Sequence, residues 1–122
     1  MSLAPVLLFT YKRYNHTKAT LEALRNNFLA DQTELFVVSD GAKTNADWQE
    51  IEKVRAQILS EKWCAKVHLI ALEENRGLND NFFDNITQVL SKFNKVIILE
   101  DDICTSPYFL QYMNDALNLY EN

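Results

Sequence analysis

Glycine and proline are scarce, with two of each in 122 residues. That scarcity excludes collagen-like and low-complexity chains. With 48% hydrophobic and 24% charged residues, intrinsic disorder is excluded as well. Basic excess is also missing: 12 Lys and Arg stand against 17 Asp and Glu, a net charge of −5. Phosphate contacts need clustered Lys and Arg, so a general nucleic-acid binder is not expected. No apolar run approaches the roughly 20 residues that cross a bilayer. A basic stretch followed by an apolar core and a small-residue cleavage site is likewise not seen at the N-terminus. The expectation is a cytoplasmic protein, at most peripheral at the inner face of a membrane. Cys64 and Cys104 form no CxxC pattern and are expected to be buried free thiols.

What is present is an alternation of apolar runs and amphipathic stretches. Residues 5–11 (PVLLFTY) form a continuous apolar run, the mark of a strand covered on both faces. From Asn15 the period becomes helical, with Leu21, Leu24 and Phe28 on one face and Asn15 or Thr17 as N-cap. A second strand over 35–39 ends at the turn dipeptide Asp40-Gly41. Asn45 is placed to cap a helix striped by Trp48, Ile51, Val54 and Ile58. A third strand over 66–72 leads through a polar loop to a helix carrying Leu78, Phe82, Ile86, Val89 and Phe93. Phe82 and Phe83 both read as core. The fourth strand, over 95–99, runs into Glu100-Asp101-Asp102. Ser106 and Pro107 read as N-cap and first turn of a last helix, striped by Leu110, Met113, Leu117 and Tyr120. This order predicts an α/β fold: a Rossmann-like, doubly wound sheet of about four parallel strands with helices on both faces. The length suits one domain.

In such sheets ligands bind beyond the carboxyl ends of the strands. Four loops lie there by prediction, bearing Lys12 and Arg13, then Asp40, then Asn75 and Arg76, then the acid triplet. Two carboxylates about 6 Å apart repel by roughly 3 kcal/mol at an effective dielectric of 20. A divalent cation reverses that sign, and oxygen ligands suit Mg²⁺ or Mn²⁺ with water and phosphate oxygens filling the other positions. A diphosphate would also need fixed donors, which Arg13 and Arg76 offer. Neither GxxxxGK[ST] nor GxGxxG occurs, so the phosphates would be held mainly through metal. Tyr11, at a strand end, could stack on a base or belong to the core. His16, His68, Trp48 and Trp63 read as structural, and Lys43 and Arg55 as solvated charges.

The segments PVLLFTYKRYNHTKATLEAL, VVSDGAK, ENRGLNDNF and VIILEDDICTSPYFLQYM, in that order, resemble the nucleotide-sugar-binding half of GT-A glycosyltransferases. The likeness is to family 2-like transferases and to N-acetylglucosaminyltransferase-I-like enzymes. The resemblance implies that Thr10, Tyr11 and Arg13 touch the nucleoside and phosphates, and that Asp40 lies near base and ribose. It implies that Asn75, Arg76 and Gly77 lie close to the donor. Glu100 and Asp101 would sit nearer the nucleoside, and Asp102 would hold Mn²⁺ or Mg²⁺. Residues 1–122 would then be one nucleotide-sugar-binding domain, short of a full GT-A catalytic domain. The expected donor is a nucleotide-diphosphate sugar, in first place a UDP-sugar, and the acceptor a glycan or other hydroxyl. The catalytic base is expected beyond Asn122, and the stripe Leu110, Met113, Leu117 would be a self-association patch. One alternative keeps the fold without catalysis, as a nucleotide-sugar-binding or assembly module. Another, a receiver-like signalling domain, would need paired acids after the first strand, where Lys12-Arg13 stand.

Overall fold

The computed structural model describes residues 2–121, apart from the side chains of residues 78, 79, 81, 82 and 121. Eight elements alternate: β1 (Val6–Thr10), α1 (Tyr14–Arg25), β2 (Glu34–Ser39), α2 (Trp48–Ser60), β3 (Lys66–Ala71), α3 (Gly77–Phe93), β4 (Ile97–Glu100) and α4 (Phe109–Glu121). The four strands make one parallel sheet in the order β3-β2-β1-β4. Each β1 residue is buried, as its continuous apolar run requires.

Alternation along the strands divides the core. Val6 and Leu8, with Leu35, Val37, Ile97 and Leu99, face the side covered by Leu21 and Leu24 of α1, Val54 and Ile58 of α2, and Leu110 of α4. Leu7, Phe9 and Val38 face the opposite side, where Ile86, Val89 and Phe93 of α3 pack. Two strand steps in one direction put α1 and α2 on one face. The jump from β3 across to β4 puts α3 on the other. The reversal falls between β1 and β4, which is where a cleft opens.

Several local expectations are corrected. α1 opens at Tyr14 without a side-chain cap, and Thr17 is wholly buried. Phe28 lies past the end of α1, exposed, with its N–H donated to the Pro107 carbonyl at 2.8 Å. Asn45 begins a one-turn 3₁₀ helix (Asn45–Asp47) ahead of α2. Ser106 and Pro107 form a turn, with Phe109 N–H on the Ser106 carbonyl at 3.2 Å, so α4 starts two residues later. Phe83 is 67% exposed. Adjacent helical positions lie about 100° apart, so neighbours cannot both face one core; the Leu78 and Phe82 side chains lie outside the described residues. Cys64 is buried and Cys104 exposed, both unpaired. Of the expected α4 stripe, Leu110, Met113 and Leu117 pack against the core, whereas Tyr120 is exposed. Among the described residues no helix is long and apolar enough to cross a membrane.

Candidate active site

A cleft of about 450 Å³ opens at the carboxyl ends of the strands, lined by Thr10, Tyr11, Lys12, Arg13, Asp40, Lys43, Asn75, Gly77, Glu100 and Asp101, with Phe9 and Val38 as its floor. It sits at the switch point of the sheet, where the strand-end rule puts ligands. Loops distant in sequence meet there because parallel strands all release their chain at the same edge.

The β1 end is pinned on both sides. Thr10 Oγ1 donates to the Val38 carbonyl at 2.9 Å. Tyr11 Oη donates to Asp47 Oδ2 at 2.7 Å and accepts the Lys43 N–H at 2.8 Å. Lys12 Nζ reaches Asp47 Oδ1 at 2.9 Å. Asp47, which sequence reasoning passed over, is therefore the post to which Tyr11 and Lys12 are tied. The Tyr11 hydrogen bond, then that of Lys12, lowers its carboxyl below the usual range, and the Lys43 charge helps. Lys12 is raised in turn, first by that hydrogen bond. Tyr11 is raised chiefly by burial. The hydroxyl is thus fixed on polar partners, leaving its ring, half-buried, on the cleft wall. Lys43 is exposed, as a solvated charge should be, and lines the cleft.

Across the cleft, β4 ends at Glu100 and the chain turns. Asp101 is 5% exposed and accepts a hydrogen bond from Arg13. That bond is the main cause of the raised Arg13 pKa. Thr20 Oγ1 donates to the Asp101 carbonyl at 2.8 Å. The Asp102 carboxylate stays 45% exposed, 3.8 Å from Arg13 Nη2. One guanidinium thus spans two acids of the triplet and offsets their mutual repulsion.

The third wall is a weld between two loops. Asp40 Oδ1 accepts the N–H groups of Gly41 at 2.8 Å and Arg76 at 3.0 Å, and Oδ2 accepts the Asn75 amide at 3.1 Å. Asn75 Nδ2 also donates to the Gly41 carbonyl at 2.8 Å. Gly41 is required by proximity: a Cβ there would stand 2.6 Å from the Glu74 carbonyl oxygen and 2.7 Å from the Asn75 nitrogen. Gly77 is required by conformation, with φ +80 as the chain enters α3.

Two expected residues stand apart from the cleft lining. The Arg76 guanidinium turns away to pair with Asp84, so its backbone N–H, not its charge, serves the site. Asp102 lies at the rim beside Arg13. Among the described residues, no three His, Cys, Asp or Glu groups are placed to hold a metal by themselves. With Asp101 engaged by Arg13, the triplet carboxylates left to offer a cation would be the exposed ones of Glu100 and Asp102. That set fits Mg²⁺ or Mn²⁺ arriving with a diphosphate, since such ions keep several waters and take one or two carboxylates plus phosphate oxygens. It does not fit a cation caged by protein alone. Arg55, read as solvated, instead hydrogen-bonds Ser39 Oγ at 2.8 Å and the Leu72 carbonyl at 2.7 Å.

A parallel α/β sheet with a polar cleft at its switch point, walled by a cationic first loop and an acidic fourth, is consistent with a Rossmann-like half of the GT-A type. The chain belongs to glycosyl transferase family 2, whose model matches residues 6–121. Among solved structures, the crystal structure of S. aureus TarS is similar, with a TM-score of 0.63 at 20% identity. That match covers 99% of this chain and 20% of TarS, so the chain spans about a fifth of that protein, and the likeness shows the fold. A comparison with curated proteins gives no match. Neither finding supports the narrower likeness to N-acetylglucosaminyltransferases.

Proposed function

We propose that this chain is the donor-binding part of a glycosyltransferase that moves a sugar from a nucleotide-diphosphate sugar, a UDP-sugar in first place, to an acceptor hydroxyl such as that of a glycan. The observation that carries the reading is the convergence of Thr10, Tyr11, Arg13, Asp40, Asn75, Gly77, Glu100 and Asp101 on one cleft. Its roughly 450 Å³ falls in the size range of small-molecule sites. In this reading the Tyr11 ring and the Asp40–Asn75 wall hold the nucleoside, with Glu100 and Asp101 at the ribose. Arg13, kept in place by Asp101, presents its remaining donors to the phosphates, and Lys12 and Lys43 add positive potential. Fixed charges of this kind favour the departure of a diphosphate because they need no reorganisation as charge develops. Asp102 would hold Mn²⁺ or Mg²⁺, which when bound supplies Lewis-acid neutralisation of the leaving group.

Acceptor activation needs a base within hydrogen-bond reach. Asp40, Asp47 and Asp101 are each engaged by donors. We therefore assign deprotonation to none of these three; Glu100, the exposed acid of the cleft lining, is kept for the ribose in this reading. The same commitment of the acids favours, as a second reading, a nucleotide-sugar-binding module without transfer of its own. A cytoplasmic location fits the two free thiols. Calorimetry with UDP and Mn²⁺ tests the whole: saturable binding that Asp102→Ala weakens in Mn²⁺ but not in its absence is expected. A folded chain that binds no UDP would refute it.

A further inference from the structure

Parallel strands end with carbonyl groups that have no partner in the sheet, and leaving such groups buried and unpaired is costly. At the ends of β2 and β3 three carbonyls converge on one side chain; that of Ser39 also accepts the Leu72 N–H at 3.0 Å. Arg55, from the third turn of α2, donates from Nη2 to the carbonyls of Leu72 at 2.7 Å, Ser39 at 3.1 Å and Asp40 at 3.4 Å. Its Nε donates to Ser39 Oγ at 2.8 Å. The guanidinium also lies 5.4 Å from the Trp48 ring centroid, within cation–π range. A planar fork with several fixed donors can satisfy this set, and an ammonium cannot.

The carbonyls held by Arg55 sit directly under the weld that forms the cleft wall. Asp40 carries both a carbonyl held by Arg55 and the carboxylate that accepts the Arg76 N–H and the Asn75 amide. We propose that Arg55 is the positioning residue of the cleft: it ties the ends of β2 and β3 together and so fixes the wall built from Asp40, Gly41 and Asn75. It touches no ligand itself. The inference rests on the donor-binding reading for its ligand, but not for its structural part.

The test compares Arg55→Met, which keeps the stem beside Trp48 and loses the fork, and Arg55→Lys, which keeps the charge. Ile58→Val, in the α2 core away from the cleft, serves as a control for stability. Two measurements are made: UDP affinity by calorimetry, and hydrogen exchange of the Arg76 amide, which reads the weld without any nucleotide. The expected result is loss of Arg76 protection and about tenfold weaker UDP binding in Arg55→Met, with Arg55→Lys recovering part of each. Ile58→Val should keep both at the wild-type level. Wild-type protection of Arg76 in both Arg55 variants would overturn the proposal, as would an equal loss of affinity in Ile58→Val. Should Arg55→Met not fold, Arg55→Lys decides by the same two readouts. If the wild-type chain binds no UDP, the donor reading falls, and Arg76 exchange alone decides the role of Arg55.

Discussion

Gly41→Ala should force apart the two loops that wall the cleft. The new methyl would stand 2.6 Å from the Glu74 carbonyl oxygen and 2.7 Å from the Asn75 nitrogen, and backbone on both sides leaves no flexible side chain to yield. Overpacking of this kind costs about 1–3 kcal/mol. Separation of the loops also strains the Asn75 bond to the Gly41 carbonyl and the Arg76 N–H bond to Asp40. Each such bond contributes about 1 kcal/mol. The expected loss is thus about 3 kcal/mol, or roughly 2 M in the urea midpoint at a slope of about 1.5 kcal/mol/M. Gly77 supplies the internal comparison, because a Cβ there meets nothing within 4 Å and the cost is conformational alone. At φ +80 that penalty is about 1–2 kcal/mol, reduced by the lower entropy of the unfolded Ala chain. Urea unfolding of both variants checks the ordering. A Gly41→Ala midpoint no lower than that of Gly77→Ala would refute the close-approach argument.

Other consequences follow from the same geometry. Breaking a buried ion pair by removing one partner costs about 3–5 kcal/mol, and solvent at the half-exposed Arg13 cuts this to about 2 kcal/mol for Arg13→Met. A double-mutant cycle with Asp101→Asn should show coupling near 1 kcal/mol, and additive single effects would contradict the pairing. The Asp47 carboxyl is depressed in the folded state, so its contribution is present above its ordinary value and lost as pH falls through the folded one. The stability difference between wild type and Asp47→Asn should therefore be level above about pH 4 and shrink below it, measured by thermal melts across that range. Burial pushes the Cys64 thiol up to about 12, whereas Cys104 is exposed. A thiol reagent at neutral pH should label Cys104 in the native chain and Cys64 after unfolding; rapid native labelling of Cys64 would contradict its burial.

The sheet was legible because its strands are short apolar runs bounded by polar loops, and the strand-end rule then brought most of the candidate residues to one cleft. What escaped the sequence lies in side-chain reach. Arg55 neighbours the core residue Val54 on α2 and looks like an ordinary helix charge; the strand-end carbonyls it serves exist only once β2 and β3 lie side by side. Arg76 was read as a phosphate donor from its loop position, but Asp84 on α3 lies near enough to take its charge. The helix starts were misplaced because Ser, Thr and Asn favour caps by local propensity, while α1, α2 and α3 begin without side-chain cap bonds. Within the triplet, Asp101 falls in the turn just past β4 and is buried against Arg13 and Thr20, whereas Glu100 and Asp102 are exposed, a division no local pattern announces.

The most direct measurement of the central claim is paramagnetic broadening of the amide spectrum by Mn²⁺ with and without UDP. The account predicts that UDP and Mn²⁺ together broaden the amides of Asp102 and Arg13 and of their immediate neighbours, and that Asp102→Ala abolishes the effect. Broadening centred on another face of the molecule, or identical with and without UDP, would contradict it.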